Sequence, residues 1–259
     1  MILDSHIHLW DDAIAAADWL RGPSSAEIRR PFTLDQYTEG IANLGVRAAI
    51  VVTAEQSVAE TSRLIDECDG SDLIAGIVGW VDLTGAIEQP LDRLLGIRHS
   101  VISEDARWLD RSDVRRGLTE FARAGLVFEV LAAARDLPSI IRCADSYPTL
   151  TIVVDHLGSP PERPDEWAAW RASIEMIALR ENVRFKMSGT ILDAATVDVV
   201  LTGLGPERLM FGSNWPVSLL VASLDEELGA LRAATVSLSP SESDQLMAGT
   251  AIESYGLAV

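Results

Sequence analysis

The chain alternates eight short runs of β-branched and apolar residues with longer stretches of helical periodicity, and this alternation limits the fold more than any other feature. The runs are Ile2–Ile7, Arg47–Thr53, Leu73–Val81, Gly96–Val101, Leu126–Ala132, Leu150–His156, Val183–Ser188 and Arg208–Ser213. Helical patterns fall near Leu34–Leu44, Ser57–Cys68, Ile87–Leu95, Val114–Arg123, Leu137–Ser146, Glu166–Arg180, Ala194–Leu204, Val221–Thr235 and Ser241–Tyr255. Thr33 and Ser57 stand where N-caps belong, and Gly45 stands where the first helix should stop.

Strands separated by crossover helices pair in parallel. Eight such units in 259 residues predict an α/β fold, an eight-stranded parallel (β/α)8 TIM barrel, which typically occupies roughly 250 residues. An open dinucleotide-binding sheet would carry Gly-x-Gly-x-x-Gly after its first strand, and none stands there. No shift in composition marks a boundary, so residues 1–259 are expected to form a single domain.

Composition narrows the partners. With 21 Lys and Arg against 39 Asp and Glu, the formal charge is −18, a field that repels nucleic acid and anionic membrane surfaces. A small-molecule substrate is therefore expected, with no nucleic acid and no membrane partner; a homo-oligomer is compatible with the sequence. The first ten residues lack the basic, then apolar pattern of a signal peptide. Cys68 and Cys143 read as buried free thiols, which points to the cytoplasm.

In such a barrel, side chains at the carboxyl ends of the strands converge on the catalytic mouth. His6 and His8 end the first run, His99 the fourth and His156 the sixth, so all four histidines are expected at one mouth. His6 and His8, two apart on a strand, face the same side and could share one ion, or could hold neighbouring backbone instead. Arg98 and His99 are adjacent and face opposite ways unless the strand ends or bulges there. Lys186 is costly to bury unpaired; it reads either as an internal ion pair with Glu129 or Asp155, or as a binder of an anion or carbonyl oxygen. Ser188 shares its face. Trp10, Trp80 and Trp215 sit at or after strand ends, as pocket walls or as ordinary packing.

Five segments, DSHIHLW, GIRHSV, VVDHLG, KMSG and MFGSNWPV, occur in this order along essentially the whole chain. Together they resemble the amidohydrolase superfamily, in its sugar-lactone lactonase-like, metal-optional branch. The resemblance implies a hydrolase that opens sugar-acid or ring-cleavage lactones, with decarboxylases among more distant relatives. It implies that His6 and His8 hold one divalent metal ion, zinc or manganese, as an optional group, or bond the substrate directly where none is held. It implies that His156 polarises the carbonyl or stabilises the oxyanion, and that Arg98 and Lys186 hold substrate carboxylate or hydroxyl groups. His99, Glu129, Ser188, Trp10, Trp80 and Trp215 then complete the expected substrate pocket, and Asn214 occupies the catalytic position on the eighth strand.

The sequence departs from the family pattern at two places. The eighth strand carries Asn214 where an aspartate usually serves as general base, and an amide cannot accept the proton of water at neutral pH. The second strand carries Thr53 where a glutamine is common, with Glu55 and Gln56 close behind. Three explanations of Asn214 stand: another base (His156, Glu129 or Glu55), a deliberate inactivating substitution, or a barrel that has lost hydrolysis and binds a ligand. Lactone hydrolysis is the expected activity; a lyase would be expected to have a further histidine near the fifth strand, which here offers Glu129.

Overall fold

The computed structural model describes residues 1–85, 87, 91–189 and 193–258. The eight strands are β1 (Ile2–Ile7), β2 (Val46–Val52), β3 (Ile74–Gly79), β4 (Gly96–Ser100), β5 (Val127–Leu131), β6 (Ile152–Val154), β7 (Val183–Met187) and β8 (Leu209–Phe211). They form one parallel sheet in sequence order. The ring is drawn shut where the Asn214 amide donates to His6 O at 2.8 Å and the His8 amide donates to Trp215 O at 2.7 Å. Asp4 adds a clasp by accepting from the Ser213 amide at 2.8 Å.

The α-helices are α1 (Asp12–Ala15), α2 (Leu34–Ile41), α3 (Val58–Glu67), α4 (Ser112–Ala124), α5 (Leu137–Ser146), α6 (Trp167–Ala178), α7 (Ala194–Leu204), α8 (Leu224–Ala234), α9 (Pro240–Asp244) and α10 (Thr250–Tyr255). Thr33 and Ser223 close capping boxes at the starts of α2 and α8, each satisfying amides that a helix leaves open. Of the helix expected at Ile87–Leu95, only a 3-10 turn at Leu91–Arg93 is described, and residues 88–90 lie outside the described residues. The last expected helix is divided by a π turn, Gln245–Gly249. Among the described residues, no helix is long and apolar enough to cross a membrane.

Two apolar layers result. Ile97, Phe128, Ile152 and Phe185 point outward, towards the helices, in the larger cluster. Ala48, Ile50, Val52, Val78, Val127, Val153 and Met210 fill the barrel interior, closed at the bottom by Ala248, Ala251 and Tyr255. Above that apolar plug, the same inward-facing rows continue as Arg98 on β4, Glu129 on β5, Asp155 just past β6 and Lys186 on β7. On β1, Leu3 lies in the interior cluster and the register shifts between Asp4 and Ile7. The shift changes the parity of the strand, so that His6 and His8 face inward. The interior is thus apolar below and ionic above.

Candidate active site

At the carboxyl ends of the strands lies a cavity of about 1050 Å³ whose lining includes His8, Thr53, Arg98, His156, Ser188 and Asn214. Three local backbone features build it. Past β6, His156, Leu157, Gly158 and Ser159 all adopt left-handed φ values of 50°, 54°, 67° and 48°. Such a conformation costs an ordinary residue about 1–2 kcal/mol, and two bonds hold the turn: Ser159 Oγ to Ala132 O at 2.9 Å and Trp170 Nε1 to Leu157 O at 3.2 Å. The coil turns the His156 side chain into the cavity. Gly212 lets β8 approach β1, since a Cβ there would meet His6 Cβ at 2.7 Å. Asn214 also has a left-handed φ, 56°, which asparagine tolerates better than most residues.

His156 Nδ1 lies 2.8 Å from Ser188 Oγ, which orients the ring. Burial pushes its pKa down to about 4, aided by Arg98 and Lys186 and opposed by Asp155. His8 is pushed down to about 3, by burial first and Arg98 second. Both rings are neutral at pH 7.

The Nε2 atoms of His6 and His8 face one another at 3.2 Å. Two imidazole nitrogens bound tetrahedrally at about 2.0–2.1 Å to one zinc ion would lie at nearly this spacing. His8 Nδ1 sits 2.8 Å from Val52 O, a backbone bond that orients a ligand imidazole as metal sites require. Ring nitrogens of His6 and His156 and a carboxylate oxygen of Asp155 lie within 4.8 Å of one another. His6 and His8 therefore fit as two ligands of one divalent ion through their Nε2 atoms, while Asp155 faces the Nδ1 side of His6. Asn214 offers only an amide oxygen, a weaker ligand than the usual carboxylate.

Below the cavity lies an ionic layer. Lys186 Nζ, fully buried, pairs with Glu129 Oε2 at 2.7 Å and lies 3.8 Å from Asp155 Oδ1. Glu129 also accepts from the Tyr255 hydroxyl. Burial and the Glu129 carboxylate hold that phenol well above 10, so it stays a donor. Arg98 reaches Asp155 Oδ2 at 3.5 Å through one amino group and the carbonyl of Thr53 through the other.

Several expectations need correction. His99 does not join the other histidines. β4 continues through Ser100, so Arg98 faces inward and His99 outward, stacked on Trp108 at 3.9 Å and facing Glu104 at 3.5 Å. Lys186 and Glu129 lie beneath the cavity floor, bound to one another, and do not line it. Trp10, Trp80 and Trp215 are spent on packing: Trp10 against Phe32, Trp80 beside His99, Trp215 against Phe32 and Tyr37. The cavity walls instead include Trp19 and Trp167, to which the sequence assigned no role. Glu55 and Gln56 do reach the cavity; Trp19 Nε1 donates to Glu55 Oε1 at 2.7 Å and Gln56 Oε1 accepts from the Ser100 amide at 2.9 Å.

The rim is acidic. Glu55, Glu162 and Asp193 line the cavity, and Arg98, whose charge Asp155 already faces, is the one cationic side chain among its described lining residues.

Known proteins resemble this chain along nearly its whole length. The Amidohydrolase family matches residues 3–257. An L-fucono-1,5-lactonase of Burkholderia multivorans is 31% identical, over 98% of this chain and 96% of that protein. A second L-fucono-1,5-lactonase, from Burkholderia ambifaria, is 29% identical over 84% of this chain and 81% of its own length. A crystal structure of an amidohydrolase from Burkholderia multivorans, with bound zinc, superposes with a TM-score of 0.93 at 30% identity and covers 100% of both chains.

Proposed function

Because the chain belongs to the amidohydrolase family, we propose that it hydrolyses a small, uncharged, polyhydroxylated lactone to the open-chain hydroxy acid. The observation that carries this reading is the neutral imidazole of His156, held by Ser188 in the same cavity as Asn214. The two lactonase relatives support the reaction class. The acidic rim and the engaged Arg98 support an uncharged substrate over a dicarboxylate, since among the described lining residues no free cation would offset two entering carboxylates. Trp19 and Trp167 offer apolar faces for a sugar-like ring.

The residues divide the work as follows. In the tautomer whose Nδ1 proton is donated to Ser188 Oγ, His156 keeps a lone pair on Nε2 to take a proton from the attacking water. Asp155, next in sequence, favours the imidazolium that forms. That proton then passes to the ring oxygen as the acyl C–O bond breaks. Asn214 cannot accept a proton, but its amide can donate to the developing oxyanion, a role amides fill in other acyl-transfer sites. His6 and His8 would hold a divalent ion, which when bound supplies Lewis-acid polarisation of the carbonyl.

A cytoplasmic location is part of the same proposal, supported by two buried, unpaired cysteines, Cys68 and Cys143. The test is a pH-indicator screen of aldono-1,4- and 1,5-lactones beside a pyrone dicarboxylate, with and without chelator. Turnover of neutral sugar lactones is expected. Preference for the dicarboxylate, or no turnover of any lactone, would overturn the proposal.

A further inference from the structure

Lys186 is the only lysine in the chain, and it is fully buried within reach of both candidate metal chemistry and the ionic layer. Its hydrogen bonds carry a consequence for the imidazole beside it. A carbonyl oxygen only accepts, so the 2.8 Å contact of His8 Nδ1 with Val52 O places the His8 ring proton on Nδ1. His8 Nε2 is then a bare acceptor. If the 3.2 Å contact between the two Nε2 atoms is a hydrogen bond when no ion separates them, its proton is on His6. His6 Nδ1 is therefore also bare, and it accepts from Lys186 Nζ at 3.1 Å. Lys186 also donates to Glu129, which accepts in turn from the Tyr255 hydroxyl on α10.

A divalent ion on His6 and His8 requires the opposite arrangement at His6. Its Nε2 must be bare and its proton must sit on Nδ1. An acceptor for that proton is already in place: Asp155 Oδ1 lies 3.4 Å from His6 Nδ1 and, among the described residues, has no hydrogen-bond partner. Lys186 Nζ, 3.8 Å from the same oxygen, needs only to lean towards it to leave Nδ1 free.

We propose that Lys186 is a positioning residue that holds His6 as its Nε2–H tautomer, and that metal loading must transfer His6 to Asp155. The imidazole keeps one proton in both states, and only the nitrogen carrying it changes. The lysine thereby sets a threshold against the ion and makes the metal-free pair a self-consistent alternative, whatever the substrate. This inference does not depend on the lactonase reading, and its readout does not depend on turnover.

The experiment is long-range 1H–15N NMR of the histidine side chains, with zinc as the probe. Only four histidines need assigning. In the metal-free protein His6 is expected to be protonated at Nε2, and in the zinc-loaded protein at Nδ1. In Lys186→Met, metal-free His6 is expected at Nδ1, and zinc competed against a chromogenic chelator should bind roughly tenfold to a hundredfold tighter, the range for second-layer changes. Removing a positive charge alone could tighten zinc, so the tautomer is the deciding signal. His6 at Nδ1 in the metal-free native protein would overturn the proposal without recourse to any variant. His6 still at Nε2 in Lys186→Met would overturn it as well.

Discussion

His156 Nδ1 stands 2.8 Å from the Ser188 hydroxyl, and the two side chains reach that contact from opposite starting points. His156 is projected by a left-handed coil past β6, whereas Ser188 follows β7 on the same inward row as Lys186. Ser188→Ala should therefore free the ring without removing it. A fall in kcat of roughly tenfold, with KM nearly unchanged, is expected for a lost orienting bond of about 1 kcal/mol or slightly more. Steady-state kinetics on a sugar lactone checks it, and an unchanged kcat would show that packing alone orients His156.

Asn214 provides an independent check on the oxyanion role. Its amide nitrogen on the backbone is already committed to His6 O at 2.8 Å, so only the side-chain amide is free for the substrate. Asn214→Ala is expected to lower kcat by about 10²–10³, the usual effect of deleting one oxyanion donor. A change confined to KM would instead mark Asn214 as a ground-state contact.

Stability should respond to pH in two opposite senses. Burial, with a smaller push from Asp4, raises Glu227 to about 8. Between its ordinary value of 4.5 and about 8, the folded chain binds the proton more tightly, so this group costs stability as pH rises. Glu227→Gln should remove that cost. Urea unfolding should show the variant gaining on the native protein from about pH 5 to about pH 8, and a pH-independent difference would refute the shift. His156, lowered from 6.5 to about 4, acts the other way. Its unfolded form binds more protons in that window, so stability is lost as pH falls from 6.5 towards 4, by an amount on the order of 3 kcal/mol.

The barrel was legible because its signals are local. Each strand run and its following helix have their own periodicity, and the capping box at Thr33 stands within the four residues from Thr33 to Gln36. His6, His8 and His156 were legible for the same reason, as strand-end residues. His99 was misplaced because a single residue decides its face: β4 keeps its pleat through Ser100. The depth of Lys186 and Glu129 depends on strand stagger, which no single segment encodes. The aromatic wall depends on loops folding back over the mouth. Trp19 is placed by its bond to Glu55, 36 residues away in sequence, and that kind of pairing leaves no local trace.

The central claim, that the His156 imidazole moves the proton in lactone hydrolysis, is tested most directly by pH-stat measurement of kcat/KM for His156→Gln against the native protein. The account predicts a fall of about 10²–10⁴ with an unchanged unfolding midpoint at pH 7. A kcat/KM equal to that of the native protein would contradict it.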